Sequence, residues 1–257
     1  MVTQRTQPIF VIGDVHGQFE RLLGLLLNVG LVGSTMTWIG ADASLWFIGD
    51  LFDRGPDSID VVDLVMRLQS EATKVGGHVG VVLGNHEVMI LTAQRFGGHF
   101  LSEWEWNGGS KADLARLTPQ HLAWIAQLPA MAHVGELLLL HADATFYTNY
   151  GRSVAQVNQA LRLVLQSHHA AAWNRLLELF CERRAFADTR ADGAARAQQL
   201  LSTFGGRRLL HGHTPISSKS SFAPEDVGQP LVYAGGLCIN VDGGMYLGGS
   251  GFVYQIR

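Results

Sequence analysis

The 257-residue sequence predicts an α/β fold. Two observations carry this. Three short, apolar, β-branched runs in the first third alternate with two stretches of helical periodicity, the strand-helix-strand arrangement of a parallel sheet. Four further short runs near the C-terminus are separated by Gly-rich turns, so the second half is rich in strands.

The elements follow in order. "PIFVIG" at 8–13, "SLWFIGD" at 44–50 and "HVGVVLGN" at 78–85 read as strands buried on both faces. Between them, "FERLLGLLLNVGL" at 19–31 and "DSIDVVDLVMRLQSEA" at 57–72 carry apolar residues at helical spacing, the second opening on an Asp and a Ser suited to capping. Right-handed crossovers make the three strands parallel and bring their C-terminal ends to one edge of the sheet. "TPQHLAWIAQL" predicts a helix from Thr118, and "AMAHV" and "ELLLLHA" predict a hairpin around Gly135. Residues 153–204 are Ala-rich and helical, interrupted by the charged stretch "CERRAFADTRADGAAR", a loop or surface helix. "RRLLHGH", "PLVYAGG", "LCINVDGG" and "GFVYQIR" supply the C-terminal strands. The length and continuity suit one domain over 1–257.

Composition bounds the function. Apolar residues make up 47% and charged ones 16%, which suits a packed globule. A formal net charge of −3 gives no broad basic surface, so no nucleic-acid partner is expected. Cys181 and Cys238 are the only cysteines, too few for a disulfide framework or a thiolate metal cage. The polar lead into the first strand lacks a basic, apolar leader, and no apolar run is long enough to span a bilayer. A cytoplasmic protein without a membrane partner is the expectation.

The chemistry lies at the strand ends. The three predicted parallel strands end in "GDVHG" at 13–17, "GDLFDRG" at 49–55 and "GNHE" at 84–87, so Asp14, His16, Asp50, Asp53, Arg54, Asn85 and His86 converge on the sheet edge where open α/β sheets place their sites. Two later strands end in "LLLLHAD" and "LLHGHTP", adding His141, His211 and His213. A lone Asp after a strand is often a helix cap and a lone His is often structural, but carboxylates and imidazoles gathered in a dry crevice are costly unless a cation offsets them. Asp, Asn and His without thiolate favour manganese first, with iron or zinc as alternatives. The ligands outnumber the needs of one ion. Two ions about 3.5–4 Å apart, sharing a bridging carboxylate, would activate a hydroxide for hydrolysis at phosphorus.

These motifs resemble those of the calcineurin-like metallophosphoesterase superfamily, in particular its phosphoprotein phosphatase branch of bacterial serine/threonine type. "GDVHG", "GDLFDRG" and "GNHE" match in order, and the likeness continues through "LLLLHA" and "HGHTP", so it runs from Pro8 to the C-terminus. It implies a sandwich of two mixed β-sheets flanked by helices, with a dinuclear metal site at the strand C-terminal ends. Asp14 and His16 would ligate the first ion, Asp50 would bridge, and Asn85, His141 and His213 would hold the second. Pro215 stands where wider members carry one more His, so the first ion would keep three protein ligands plus water. His86 would be free of metal and act as general acid, with Asp53 hydrogen-bonded behind it. Arg54 would grip phosphate oxygens, with Asn85 and Asn107 also facing substrate. Glu87 would cap the helix that starts there.

Other residues are read more plainly. Trp104 and Trp106 are expected to pack, Asp242 to orient its turn, and His211 to sit behind the ligands. His168 and His169 lie in a helical stretch, about 100° apart and solvated, while His78, His99, His121 and His133 are structural. Asp143 departs from the family, which usually has Gly there, and would repel an anionic substrate unless it turns outward or pairs with an arginine such as Arg152, Arg175, Arg183 or Arg184. The expected function is a metal-dependent phosphatase for phosphomonoesters, on phosphoserine or phosphothreonine proteins or small phosphoesters. The rival is a dinucleoside polyphosphate hydrolase for substrates such as diadenosine tetraphosphate, and the helical segment within 96–205 would select between them. A non-catalytic binding module is the third reading; against it, no ligand of the set is missing.

Overall fold

A computed structural model describes residues 7–187 and 192–256. The chain forms nine strands and nine α-helices among these residues. Strands β1 (Ile9–Ile12), β2 (Ser44–Phe47) and β3 (His78–Val81) alternate with helices α1 (Phe19–Asn28) and α2 (Ser58–Lys74), as the periodicity predicts. β1 pairs with β2 and β2 with β3, both parallel, so Ile12, Phe47 and Val81 lie side by side at the common C-terminal edge. α3 (Asn85–Phe96), α4 (Gly98–Trp106), α5 (Lys111–Arg116) and α6 (Pro119–Ile125) follow. The hairpin β4 (Met131–Val134) and β5 (Leu137–Leu140) turns at Gly135, as expected. α7 (Val154–Gln166), α8 (Ala170–Phe180) and α9 (Gly193–Phe204) lead to β6 (Arg208–His211), β7 (Leu231–Tyr233), β8 (Cys238–Asn240) and β9 (Val253–Ile256).

Two mixed sheets result, in the orders β3-β2-β1-β9 and β4-β5-β6-β8-β7. β9 pairs antiparallel with β1, so the last strand returns to the first sheet, a placement that its own short pattern does not disclose. In the second sheet β5, β6 and β8 run parallel, which puts His141, His211 and Asn240 at one edge. Strand alternation divides the core in two. Val11, Ile48, Leu139, Leu210 and Ile239 fill one layer with Val82 and Val241, whereas Ile12, Leu45, Phe47, Leu138, Leu140 and Leu209 pack with buried residues of α1, α2, α7, α8 and α9. Each such side chain contributes about 1.5–3 kcal/mol by leaving water. Leu22 and Leu26 anchor α1, and Val61, Val65, Leu68 and Ala72 anchor α2 at the spacing of one helical face.

Two local expectations are corrected, and the charged stretch takes forms that its sequence leaves open. Asp57 stands at the N-cap of α2 but its side chain makes no capping bond, and Ser58 Oγ accepts instead from the Asp53 N–H at 3.0 Å. His168 and His169 are exposed but lie in the break between α7 and α8, not within a helix. The charged stretch from Cys181 is irregular through Ala187, residues 188–191 fall outside the described part, and α9 resumes at Gly193. No helix among the described residues is long and apolar enough to cross a membrane.

Candidate metal centre

The site is built on backbone that few residues adopt. His16, Asp50, Asp53, Arg54 and His213 all have left-handed φ, between 48° and 69°. Such conformations cost about 1–3 kcal/mol each for non-glycine residues and persist only where their surroundings over-determine them. Each of the five N–H groups has a named acceptor. His16 donates to the Asp50 carbonyl at 2.9 Å, Asp50 to Glu87 Oε2 at 2.8 Å, and Asp53 to Ser58 Oγ at 3.0 Å. Arg54 donates to the Gly108 carbonyl at 2.8 Å and His213 to both Asp14 oxygens at 3.0 Å. That last contact needs Gly212, because a Cβ there would lie 2.1 Å from Asp14 Oδ1.

Glu87 does more than the capping expected of it. Its buried carboxylate accepts from Gly84 at 2.9 Å, completing the cap of α3, and from Asp50 and Leu51 at 2.8 Å each. One side chain thereby joins the ends of β2 and β3. Burial, then the Asp50 charge, push its carboxyl up to about 7 against these donors.

The ligating atoms converge. His141 donates from Nδ1 to the Ile48 carbonyl at 2.7 Å, which leaves Nε2 with its lone pair 3.4 Å from Asp50 Oδ2, 2.9 Å from Asn85 Oδ1 and 3.0 Å from His213 Nδ1. His213 Nδ1 also lies 2.9 Å from Asn85 Oδ1. Ligands about 2.1 Å from a cation and at right angles stand about 3.0 Å apart, the spacing seen here. His16 donates from Nδ1 to the Phe52 carbonyl at 2.9 Å and presents Nε2 3.7 Å from Asp50 Oδ2. Two buried groups of three, His16-Asp50-His86 and Asp50-His141-His213, each have donor atoms within 4.8 Å of one another, and Asp50 belongs to both. Asp14 stands in neither group; both its oxygens accept from the His213 N–H and keep further lone pairs, and His86 is the third member beside His16.

Electrostatics point the same way. Burial and then the Asp242 charge hold the Asp14 carboxyl well above the usual range, and burial pushes Asp242 to about 7. Burial opposes charge on His141, but the Asp50 carboxylate outweighs it and draws the ring up to about 10, so that a proton on this ring supplies the positive charge that a cation beside Asp50 would replace. Burial, then neighbouring histidines, keep His16 and His213 well below the ordinary value, as neutral rings. His86 Nε2, His213 Nε2 and Asp242 Oδ2 are buried with no partner among the described residues, each a cost of about 1–3 kcal/mol if left so. Neutral imidazoles, carboxylates and a carboxamide without thiolate fit a pair of divalent cations.

Around this centre, His86 Nδ1 lies 2.7 Å from Asp53 Oδ2, and Trp104 Nε1 donates to Asp53 Oδ1 at 2.9 Å. Trp104 is thus a hydrogen-bonding residue as well as a packing one, whereas Trp106 is 89% exposed and packs little. Arg54 is exposed at the mouth, with Nη1 3.0 Å from His16 Nε2 and its guanidinium 4.4 Å above the Tyr246 ring. Tyr246, which also meets His16 edge-on at 4.9 Å, carried no signal in the sequence. Asn107 donates from its amide to the Glu103 carbonyl at 2.8 Å. Among the described residues Asp143 pairs with Lys219 at 3.2 Å and Tyr233 Oη at 2.9 Å and with no arginine side chain; Arg184 contributes its backbone N–H, at 2.8 Å. His211 stands behind the ligands, 2.7 Å from Tyr233 Oη.

The model of the family described as calcineurin-like phosphoesterase matches residues 7–228. The chain belongs to that family. Among curated relatives, it is 39% identical over 83 residues to Shewanella-like protein phosphatase 1 of Plasmodium berghei (strain Anka), covering 32% of this chain and 23% of that protein. It is 29% identical over 224 residues to the symmetrical bis(5'-nucleosyl)-tetraphosphatase of Klebsiella pneumoniae (strain 342), covering 86% and 72%. Across the first three curated relatives it spans less than half of their length, 23%, 22% and 40%. In solved structures, the cold-active protein-tyrosine phosphatase of a psychrophilic Shewanella superposes with a TM-score of 0.76 at 20% identity, covering 98% of this chain and 75% of that one. Two mixed sheets with helices outside are therefore the fold of known phosphoesterases.

Proposed function

We propose that the protein is a metal-dependent phosphatase of phosphomonoesters, with phosphoserine or phosphothreonine proteins as the physiological class. The observation that supports it most is the pair of donor groups sharing Asp50. In this reading Asp14 rather than His86 completes the first set, so that Asp14, His16 and Asp50 would hold one ion and Asp50, Asn85, His141 and His213 the other, manganese first and iron or zinc as alternatives. Such a pair supplies Lewis acidity and a nucleophile near neutral pH. The chain's own residues do the rest. Arg54 grips the non-bridging oxygens with its planar fork. His86, its Nδ1–H held by Asp53 at 2.7 Å, aims Nε2 at the leaving oxygen and hands it a proton as the P–O bond breaks.

A second reading, hydrolysis of dinucleoside polyphosphates, is favoured by the long alignment with the tetraphosphatases. In either case the segment within 96–205 would choose what enters the crevice. The test is to load the purified protein with manganese and offer a phosphoserine peptide, a phosphotyrosine peptide and diadenosine tetraphosphate side by side. Turnover should fall sharply in Asp14→Ala and His86→Ala. No turnover by the parent, or variants equal to it, would overturn the assignment; preference for the nucleotide would select the second reading.

A further inference from the structure

The turn "WEWNGG" at 104–109 has a place in the site apart from any contact of Asn107 with substrate. It makes two contacts with one short segment of the site. The indole N–H of Trp104, a residue only 1% exposed, donates to Asp53 Oδ1 at 2.9 Å, while Asp53 Oδ2 faces His86 Nδ1 at 2.7 Å. Four residues on, the Gly108 carbonyl accepts from the Arg54 N–H at 2.8 Å. Asp53 and Arg54 are the consecutive left-handed residues at φ 69° and 66°. Gly109 lies against the indole so closely that a Cβ would stand 2.1 Å from Trp104 Cε2, so the ring and the turn hold one another in place.

We infer that this turn is a positioning device for Asp53 and Arg54, and that Trp104 is a positioning residue for proton transfer by His86. The inference rests on the hydrolytic reading above. One carboxylate oxygen is occupied by a donor that cannot accept, so the Asp53 carboxylate cannot swing away from His86, and the ring is kept with Nε2 toward the crevice. Because Trp104 comes from α4, outside the motifs at the strand ends, the acid pair is completed by the helical segment.

Trp104→Phe keeps the buried ring and removes the N–H. In the manganese-loaded enzyme, its kcat on phenyl phosphate should fall further than on 4-nitrophenyl phosphate by a factor of about ten, because only the poorer leaving group needs a proton. Gly109→Ala, which displaces the indole, should show the same asymmetry, with manganese content per chain as in the parent. Equal losses on both substrates, or none, would overturn the inference. A second readout is independent of turnover: in proton-nitrogen NMR of the zinc-loaded protein, the indole resonance missing from Trp104→Phe should exchange slowly with solvent and move in Asp53→Asn. Rapid exchange, or no movement, would also overturn it. A parent that hydrolyses neither ester yet shows the bonded indole would sink the proposed function and leave the contact standing.

Discussion

Lys219→Met is the sharpest probe of how the edge of the second sheet is held. Lys219 Nζ lies 3.2 Å from Asp143 Oδ2, with side-chain exposures of 9% and 0%. Removing one partner of a buried pair costs about 3–5 kcal/mol when the other is left uncompensated. Asp143 keeps the Tyr233 hydroxyl at 2.9 Å and the Arg184 N–H at 2.8 Å, and these bonds offset part of that cost. The expected loss is about 2–3 kcal/mol, or a fall in Tm of about 4–12 °C for a chain of this size. Urea unfolding followed by tryptophan fluorescence, with calorimetry for Tm, measures it. Adding Asp143→Asn to Lys219→Met removes the stranded charge and should recover at least about 1 kcal/mol as a coupling energy. A Lys219→Met protein within about 0.5 kcal/mol of the parent, or two substitutions that simply add, would refute a buried pair at this position.

Other perturbations test neighbouring contacts. Tyr233→Phe strips a donor from Asp143 and a partner from His211, and should cost about 1–2 kcal/mol in the same unfolding assay; no loss would mean that water replaces the hydroxyl. Glu87→Gln sets an amide against three backbone donors, one of them the N–H of left-handed Asp50, so manganese affinity by equilibrium dialysis should drop about tenfold or more, and a parent-like affinity would deny Glu87 a part in placing Asp50. Burial, then the Asp143 charge, push the Cys238 thiol up to about 12, and burial raises Cys181 as well. A raised thiol stays protonated below its pKa, so iodoacetamide at about pH 8 should label half-buried Cys181 slowly and Cys238 only after unfolding, and equal labelling of the folded protein would contradict this.

How legible the site was varied with the reach of each contact. His16, Asp50, Asn85, His141 and His213 could be gathered from the sequence because each follows an apolar run, and parallel strands end at one edge. Glu87 was visible as a helix cap, since its place three residues after Gly84 is a local signal, but its grip on Asp50 and Leu51 spans 37 and 36 residues. Lys219 reaches Asp143 across 76 residues and Trp104 reaches Asp53 across 51, and nothing near either pair in the chain announces the other. Arginine was one partner expected for Asp143, but among the described residues the cation is Lys219, from the loop after β6, whose path is set by packing.

Periodicity, strand-end motifs and crossover handedness by themselves determined an α/β chain whose Asp, Asn and His residues meet at one sheet edge, because those rules depend only on neighbours in sequence and on chirality. The tertiary structure alone decided that β9 closes the first sheet, that five site residues sit in left-handed backbone, and which distant groups hold them there. Strain of that kind survives only where acceptors from other elements compensate it, so it has no signature until the whole chain is packed.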